Sequence, residues 1–148
     1  MSPATNSSQP PILLVEDNPA DVETTVRAFR KSSLSNPIFR CEDGDEALAY
    51  LASTPTPPSL ILLDLNLPGT DGREVLAEIK QSARLRRIPV IVLTTSSDED
   101  DIRACYDAGA SGFVQKPVDL AAFMAAIQRI KDYWLELVRL PDAERRPS

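Results

Sequence analysis

Leu60-Ile61-Leu62-Leu63-Asp64-Leu65-Asn66-Leu67-Pro68-Gly69 begins with four apolar residues, stops on a carboxylate and runs into a turn-rich loop that continues to Gly72. A short, wholly apolar run suits a strand buried on both faces, as in a parallel sheet covered by helices. The same arrangement recurs on either side. Ile12-Leu13-Leu14-Val15 ends in Glu16-Asp17, and Pro89-Val90-Ile91-Val92-Leu93 ends in Thr94-Thr95. Phe113-Val114 lie in a shorter run that ends in Lys116-Pro117, and Ile38 to Cys41 reads as a weaker strand.

The segments between these runs carry helical spacing. Asn18-Pro19 opens a helix with Val22, Val26 and Phe29 on one face, expected to stop near Ser32-Ser33. Asp45 is placed to cap a helix carrying Ala47, Leu48 and Leu51. Thr54-Pro55-Thr56-Pro57-Pro58 is a loop, and the helix beyond Gly72 carries Val75, Leu76 and Ile79. Ser97 or Asp98 caps a helix through Ile102, Cys105 and Tyr106, with Gly109 ending it. The last helix starts near Asp119, with Leu120, Phe123, Met124, Ile127, Ile130 and Trp134 as its apolar stripe. Strand and helix alternate five times. That order predicts an α/β fold, a doubly wound five-stranded parallel sheet with helices on both faces.

Composition narrows the function classes. The chain has 148 residues, about one domain's worth, and is 43% hydrophobic, which is not a disordered composition. No apolar run approaches the roughly 20 residues of a membrane span, and the N-terminus lacks the marks of a secretory signal, so a cytoplasmic location is expected. The net charge of −6 argues against a nucleic-acid partner; Arg84, Arg86 and Arg87 form the one basic cluster. There is no histidine. That removes His-based acid–base and nucleophile systems and the usual His-containing zinc sites. Cys41 and Cys105 sit in apolar-patterned segments and read as buried, reduced and structural.

In open α/β sheets, ligands bind beyond the carboxyl ends of the strands. Here each apolar run stops there on a polar group: Glu16-Asp17, Asp64, Thr94 and Lys116. Three carboxylates brought together repel one another and call for a cation. All-oxygen ligands suit Mg2+. Lys116 adds a second compensating charge, and either Thr94 or Thr95 adds a hydroxyl. One carboxylate is left as a nucleophile, and carboxylates accept phosphoryl groups.

The chain resembles the receiver domains of two-component response regulators, over roughly residues 11–131. The likeness is carried by Val15-Glu16-Asp17-Asn18, Leu63-Asp64-Leu65-Asn66-Leu67-Pro68, Asp71-Gly72, Leu93-Thr94 and Phe113-Val114-Gln115-Lys116-Pro117. It implies the flavodoxin-like strand order 2-1-3-4-5. It further implies that Asp64 accepts a phosphoryl group from a sensor histidine kinase. Asp17, Asp64 and the backbone carbonyl of Asn66 would ligate Mg2+, with Glu16 helping through water. Thr94 and Lys116 would hold phosphoryl oxygens. Thr94 is chosen over Thr95 because it directly follows Leu93, as in the family pattern. Phe113 takes the aromatic switch position, with plain core packing as the alternative, and the Lys116–Pro117 peptide is expected to be cis.

Residues 1–10 read as a loose, disordered tail and 132–148 as an extension beyond the receiver. That extension, Asp132-Tyr133-Trp134-Leu135-Glu136-Leu137-Val138-Arg139-Leu140-Pro141, resembles the C-terminal segment of regulators partnered with phytochromes. The likeness implies a homodimer in a phytochrome-type light-signalling pathway. If the last helix overshoots the domain, Tyr133, Trp134, Leu137, Val138 and Leu140 form an exposed apolar patch suited to a dimer interface; the alternative is that the segment folds back on its own domain. No enzymatic activity is expected. A haloacid-dehalogenase-type phosphatase needs a second Asp two residues past the acceptor, where this chain has Asn66. A flavin site would need a phosphate loop where Glu16-Asp17-Asn18 stand. A phosphorylation-independent scaffold is the remaining alternative.

Overall fold

The computed structural model describes residues 9–31 and 35–141. The expected helix stop at Ser32-Ser33, residues 142–148 of the C-terminal extension and all of the N-terminal tail but Gln9 and Pro10 lie outside the described residues. Five strands and five α-helices alternate: β1 (Ile12–Val15), α1 (Pro19–Lys31), β2 (Ile38–Cys41), α2 (Gly44–Ser53), β3 (Leu60–Leu63), α3 (Gly72–Gln81), β4 (Val90–Thr94), α4 (Glu99–Asp107), β5 (Gly112–Gln115) and α5 (Leu120–Lys131). The sheet is parallel throughout, in the order β2-β1-β3-β4-β5. This is the flavodoxin-like fold that the sequence predicts.

The apolar runs are buried on both faces because successive side chains alternate between two cores. Leu13, Val15, Ile61, Leu63, Val90 and Val92 pack with residues of α2, α3 and α4. Ile12, Leu14, Leu60, Leu62, Ile91 and Leu93 pack with Ala28 and Phe29 of α1 and Phe123, Ile127 and Ile130 of α5. Cys41 and Cys105 lie within the first core. Burial pushes the Cys41 thiol up to about 12, with Glu46 and Asp43 adding to the effect, and burial also raises Cys105. Both pack as small apolar residues of the core.

Helix starts follow capping chemistry, with one correction. The cap of α2 is Asp43, whose carboxylate accepts the Glu46 N–H; Asp45, the expected cap, sits in the first turn and takes the Thr70 hydroxyl. Asp71, Asp98 and Asp119 cap α3, α4 and α5.

The C-terminal segment departs from the expected straight overshoot. After α5, residues Asp132–Leu137 form a π-helix. Lys131 and Glu136 are five residues apart, in phase with the π-turn, and their side chains pair at 2.5 Å. Val138 N–H closes a five-residue turn on Tyr133 O at 2.9 Å. The wider turn brings Trp134 and Leu135 onto the α1–α5 core. Trp134, Val138 and Leu140 are half-buried, and only Tyr133 and Leu137 of the expected patch are exposed. For Trp134, folding back wins over projection into solvent, because its large apolar area finds a core within reach.

Candidate functional site

The polar groups that end β1, β3, β4 and β5 meet at one edge of the sheet. Because β1 and β3 are neighbours, Val15 is in register with Leu63, and Glu16-Asp17 emerge beside Asp64. One carboxylate oxygen from each of Glu16, Asp17 and Asp64 lies within 4.8 Å of the others. Glu16 and Asp64 are buried, whereas Asp17 is exposed. A buried, all-oxygen pocket with one open side fits a hard divalent cation.

Lys116 closes the site from the far side. Its backbone N–H donates to Thr94 O at 2.7 Å, which fixes the end of β5 against β4. Its ammonium then reaches Glu16 Oε1 at 2.7 Å, Asp21 Oδ2 at 2.9 Å and Asp64 Oδ2 at 3.1 Å. Burial works against the ammonium, but hydrogen bonds to Asp21 and Glu16 hold its pKa above the ordinary lysine value. Burial raises the Glu16 carboxyl to about 7; the Lys116 hydrogen bond opposes the rise and the Asp64 charge adds to it.

Thr94 is fully buried at the end of β4. Its hydroxyl accepts from Asn66 Nδ2 and from Ser96 N–H, both at 3.4 Å. Asn66 N–H in turn donates to Asp64 Oδ1 at 3.1 Å. Asn66 therefore links the two strand ends, as a neutral amide where a phosphatase would need an acid. Phe113 is half-buried against the core over α2–α4, and its N–H donates to the Tyr106 hydroxyl at 3.2 Å.

One expectation is corrected. The described residues contain no cis peptide, so Lys116–Pro117 is trans. Trans is the favoured form of an X–Pro bond by about 0.5–1 kcal/mol. Lys116 makes all of its site contacts with that bond in place.

Gly72 sets how closely α3 approaches Asp64. Its N–H donates to Leu65 O at 3.1 Å. A Cβ there would meet Asp64 O and come within 2.7 Å of Leu65 Cα. Arg73, the next residue, bridges Asp71 and Asp101, and Asp101 also accepts from Ser96 Oγ at 2.9 Å.

Two participants were not anticipated from sequence. Asp21 reads there as an ordinary first-turn acid of α1, and nothing local announces a partner 95 positions away. Arg40 donates to Glu16 O at 3.1 Å and Asp17 O at 3.4 Å, bracing the backbone of the acidic loop from β2. A lone arginine in an edge strand carries no such signal.

A strand-edge acidic triad, a buried lysine and a hydroxyl on this parallel sheet define a receiver of the two-component type. The chain belongs to the response regulator receiver domain family, whose profile matches residues 12–128. Response regulator Rcp1 of Synechocystis sp. is 44% identical over 146 residues, covering 93% of this chain and 99% of Rcp1. The probable methanogenesis regulatory protein FilR2 of Methanothrix harundinacea is 42% identical over 88% of this chain and 86% of its own length. Among solved structures, the phosphorylated cyanobacterial phytochrome response regulator RcpA has a TM-score of 0.87 at 43% identity, over 90% of this chain and 99% of RcpA. The Mn2+-bound form of Rcp1 has a TM-score of 0.85 at 44% identity, over 89% of this chain and 99% of that one.

Proposed function

We propose that this chain is a phosphorylation-dependent switch in which Asp64 accepts a phosphoryl group from the phosphohistidine of a sensor histidine kinase. The observation that carries the reading is the Lys116 ammonium 3.1 Å from a buried strand-end carboxylate within an acidic triad. An Asp64 carboxylate oxygen forms a bond to phosphorus as the phosphorus–nitrogen bond of the donor histidine breaks, and the imidazole keeps the released electron pair and takes a proton. Lys116 stands where it can hold a phosphoryl oxygen, and Thr94 offers a hydroxyl to another. Asp17, Asp64, the Asn66 carbonyl and Glu16 would hold Mg2+, which supplies charge neutralisation to the transferring group. The Mn2+-bound state of Rcp1 supports a divalent ion of this kind.

Activation is read as a population shift: a phosphoryl group on Asp64 favours an inward Thr94, with Phe113 following and the face of α4 and β5 altered. Asn66 lacks the acid a phosphatase would use, so the chain serves as a phosphoryl acceptor and not as a turnover enzyme. The likeness to RcpA supports a phytochrome as the kinase. Among the described residues no helix is long and apolar enough to cross a membrane; the location proposed for the switch is cytoplasmic. Exposed Tyr133 and Leu137, beside a surface groove of about 600 Å³ that they line with Arg129, Asp132 and Glu136, support a homodimer contact on the π-segment.

The direct test is intact mass after incubation with a small phosphodonor and Mg2+. The wild type should gain one phosphoryl mass and Asp64→Asn none. Equal gain by both, or gain by neither, refutes the assignment.

A further inference from the structure

Lys116 has three ammonium protons to donate. Three carboxylates take them: Glu16 at 2.7 Å, Asp21 at 2.9 Å and Asp64 at 3.1 Å. Glu16 and Asp64 also belong to the oxygen triad that fits a cation, and Asp21 does not. A cation in the triad competes with Lys116 for Glu16 and Asp64, because the same oxygens cannot serve both charges at full strength. Asp21 is the one partner that this competition leaves alone.

Asp21 is also well placed to act as a fixed anchor. It sits in the first turn of α1, beyond the Asn18 side chain that accepts the Ala20 and Asp21 N–H groups at 2.9 and 3.4 Å. Its own carbonyl takes the Thr25 hydroxyl at 2.8 Å, and Thr25 is buried. The lysine stem, by contrast, has four rotatable carbons and no fixed direction of its own.

We propose that Asp21 is a positioning residue for phosphoryl transfer: it holds the Lys116 ammonium beside Asp64 when Glu16 and Asp64 are engaged by the cation and the incoming phosphoryl group. The proposal rests on Asp64 being the acceptor. It makes a prediction opposite in sign to that of simple charge. Removing an anion from a site that receives an anionic donor should speed encounter. Removing an anchor that orients the lysine should slow transfer.

The test measures phosphorylation of the whole chain by acetyl phosphate at saturating Mg2+, where the Asp64 oxygen–phosphorus bond forms as acetate leaves. For Asp21→Asn the rate at saturating donor should fall about tenfold, with no improvement in donor KM. Asp21→Glu should recover part of the loss. In a Lys116→Ala background, Asp21→Asn should change the rate by less than about twofold, because the anchor then has nothing to hold. A faster Asp21→Asn, or an equal loss without Lys116, overturns the proposal. A second arm needs no phosphodonor: the nitrogen-15 resonance of the Lys116 ammonium in Mg2+-loaded protein. Slow proton exchange should be seen in the wild type and lost in Asp21→Asn; identical exchange in both overturns the proposal. A wild type that takes no phosphoryl group sinks the acceptor reading and the transfer role of Asp21 with it. A wild type that is phosphorylated but indifferent to Asp21 sinks the proposal alone.

Discussion

Asp64 sits in a balance of charges that Lys116 completes. Removing the lysine leaves Glu16 and Asp64 buried side by side without a counter-charge, which in comparable buried pairs costs about 3–5 kcal/mol. Lys116→Ala should therefore melt lower than the wild type in chelator, and added Mg2+ should raise its Tm more than it raises that of the wild type. Equal Mg2+ shifts in a calorimeter would show that lysine and cation do not share these oxygens. Gly72 poses a steric constraint in the same place. Gly72→Ala puts a methyl group onto the Asp64 carbonyl and Leu65 Cα, and should cost about 1–3 kcal/mol on urea unfolding. It should also slow phosphorylation of Asp64. At this scale the sequence was informative wherever an apolar run stopped on a polar residue. It was silent on Asp21 and Arg40, whose partners are set by how β1, β2 and β5 meet and not by any local pattern.

At the level of elements, the all-apolar β1, β3 and β4 were legible because burial on both faces leaves no polar position. The π-segment was not, because Trp134, Leu137 and Val138 fit the spacing of an α-helix equally well. What selects the wider turn is tertiary: Trp134 and Leu135 reach the α1–α5 core, while the buried Lys131 ammonium finds Glu136. The hydrogen bond from Lys131 to Glu136 raises the lysine pKa against the opposing effect of burial. Glu136→Gln should loosen the segment, and the Trp134 fluorescence should shift to the red as the indole gains water. An unshifted spectrum would mean that packing alone holds the turn. Between α3 and α4, the Arg73 hydrogen bond lowers the Asp101 pKa, with Ser96 assisting. A depressed carboxyl contributes stability above its unfolded value, near 3.8, and that contribution is lost as pH falls through the folded pKa. The Tm difference between wild type and Asp101→Asn should thus shrink as the pH is taken below 3.8 and on through the depressed folded pKa.

For the molecule as a whole, the apolar surface left uncovered decides what can associate. Trp134 is largely spent on its own domain, so Trp134→Ala should lower stability more than it alters mass in solution. Tyr133→Ser with Leu137→Ser removes the exposed part of the patch at little cost to the core. Sedimentation should show that double variant shifted toward monomer relative to the wild type; an unchanged dimer would place the interface elsewhere. Fold class was readable because strand and helix alternate in sequence from β1 to α5. The proposed dimer patch was only partly readable, since exposure depends on a backbone turn that the residue pattern does not reveal.

The sheet order has one more consequence. Asp64 follows the central strand β3, but its lysine follows β5, an edge of the sheet and the last strand in the chain. A nascent or partly unravelled chain can expose the aspartate long before β5 docks on β4. Only when Lys116 N–H has closed on Thr94 O does the ammonium arrive. On the proposed function, full competence thereby depends on completed assembly: a chain whose β5 has not docked presents Asp64 without Lys116 and should take up a phosphoryl group more slowly than the folded protein.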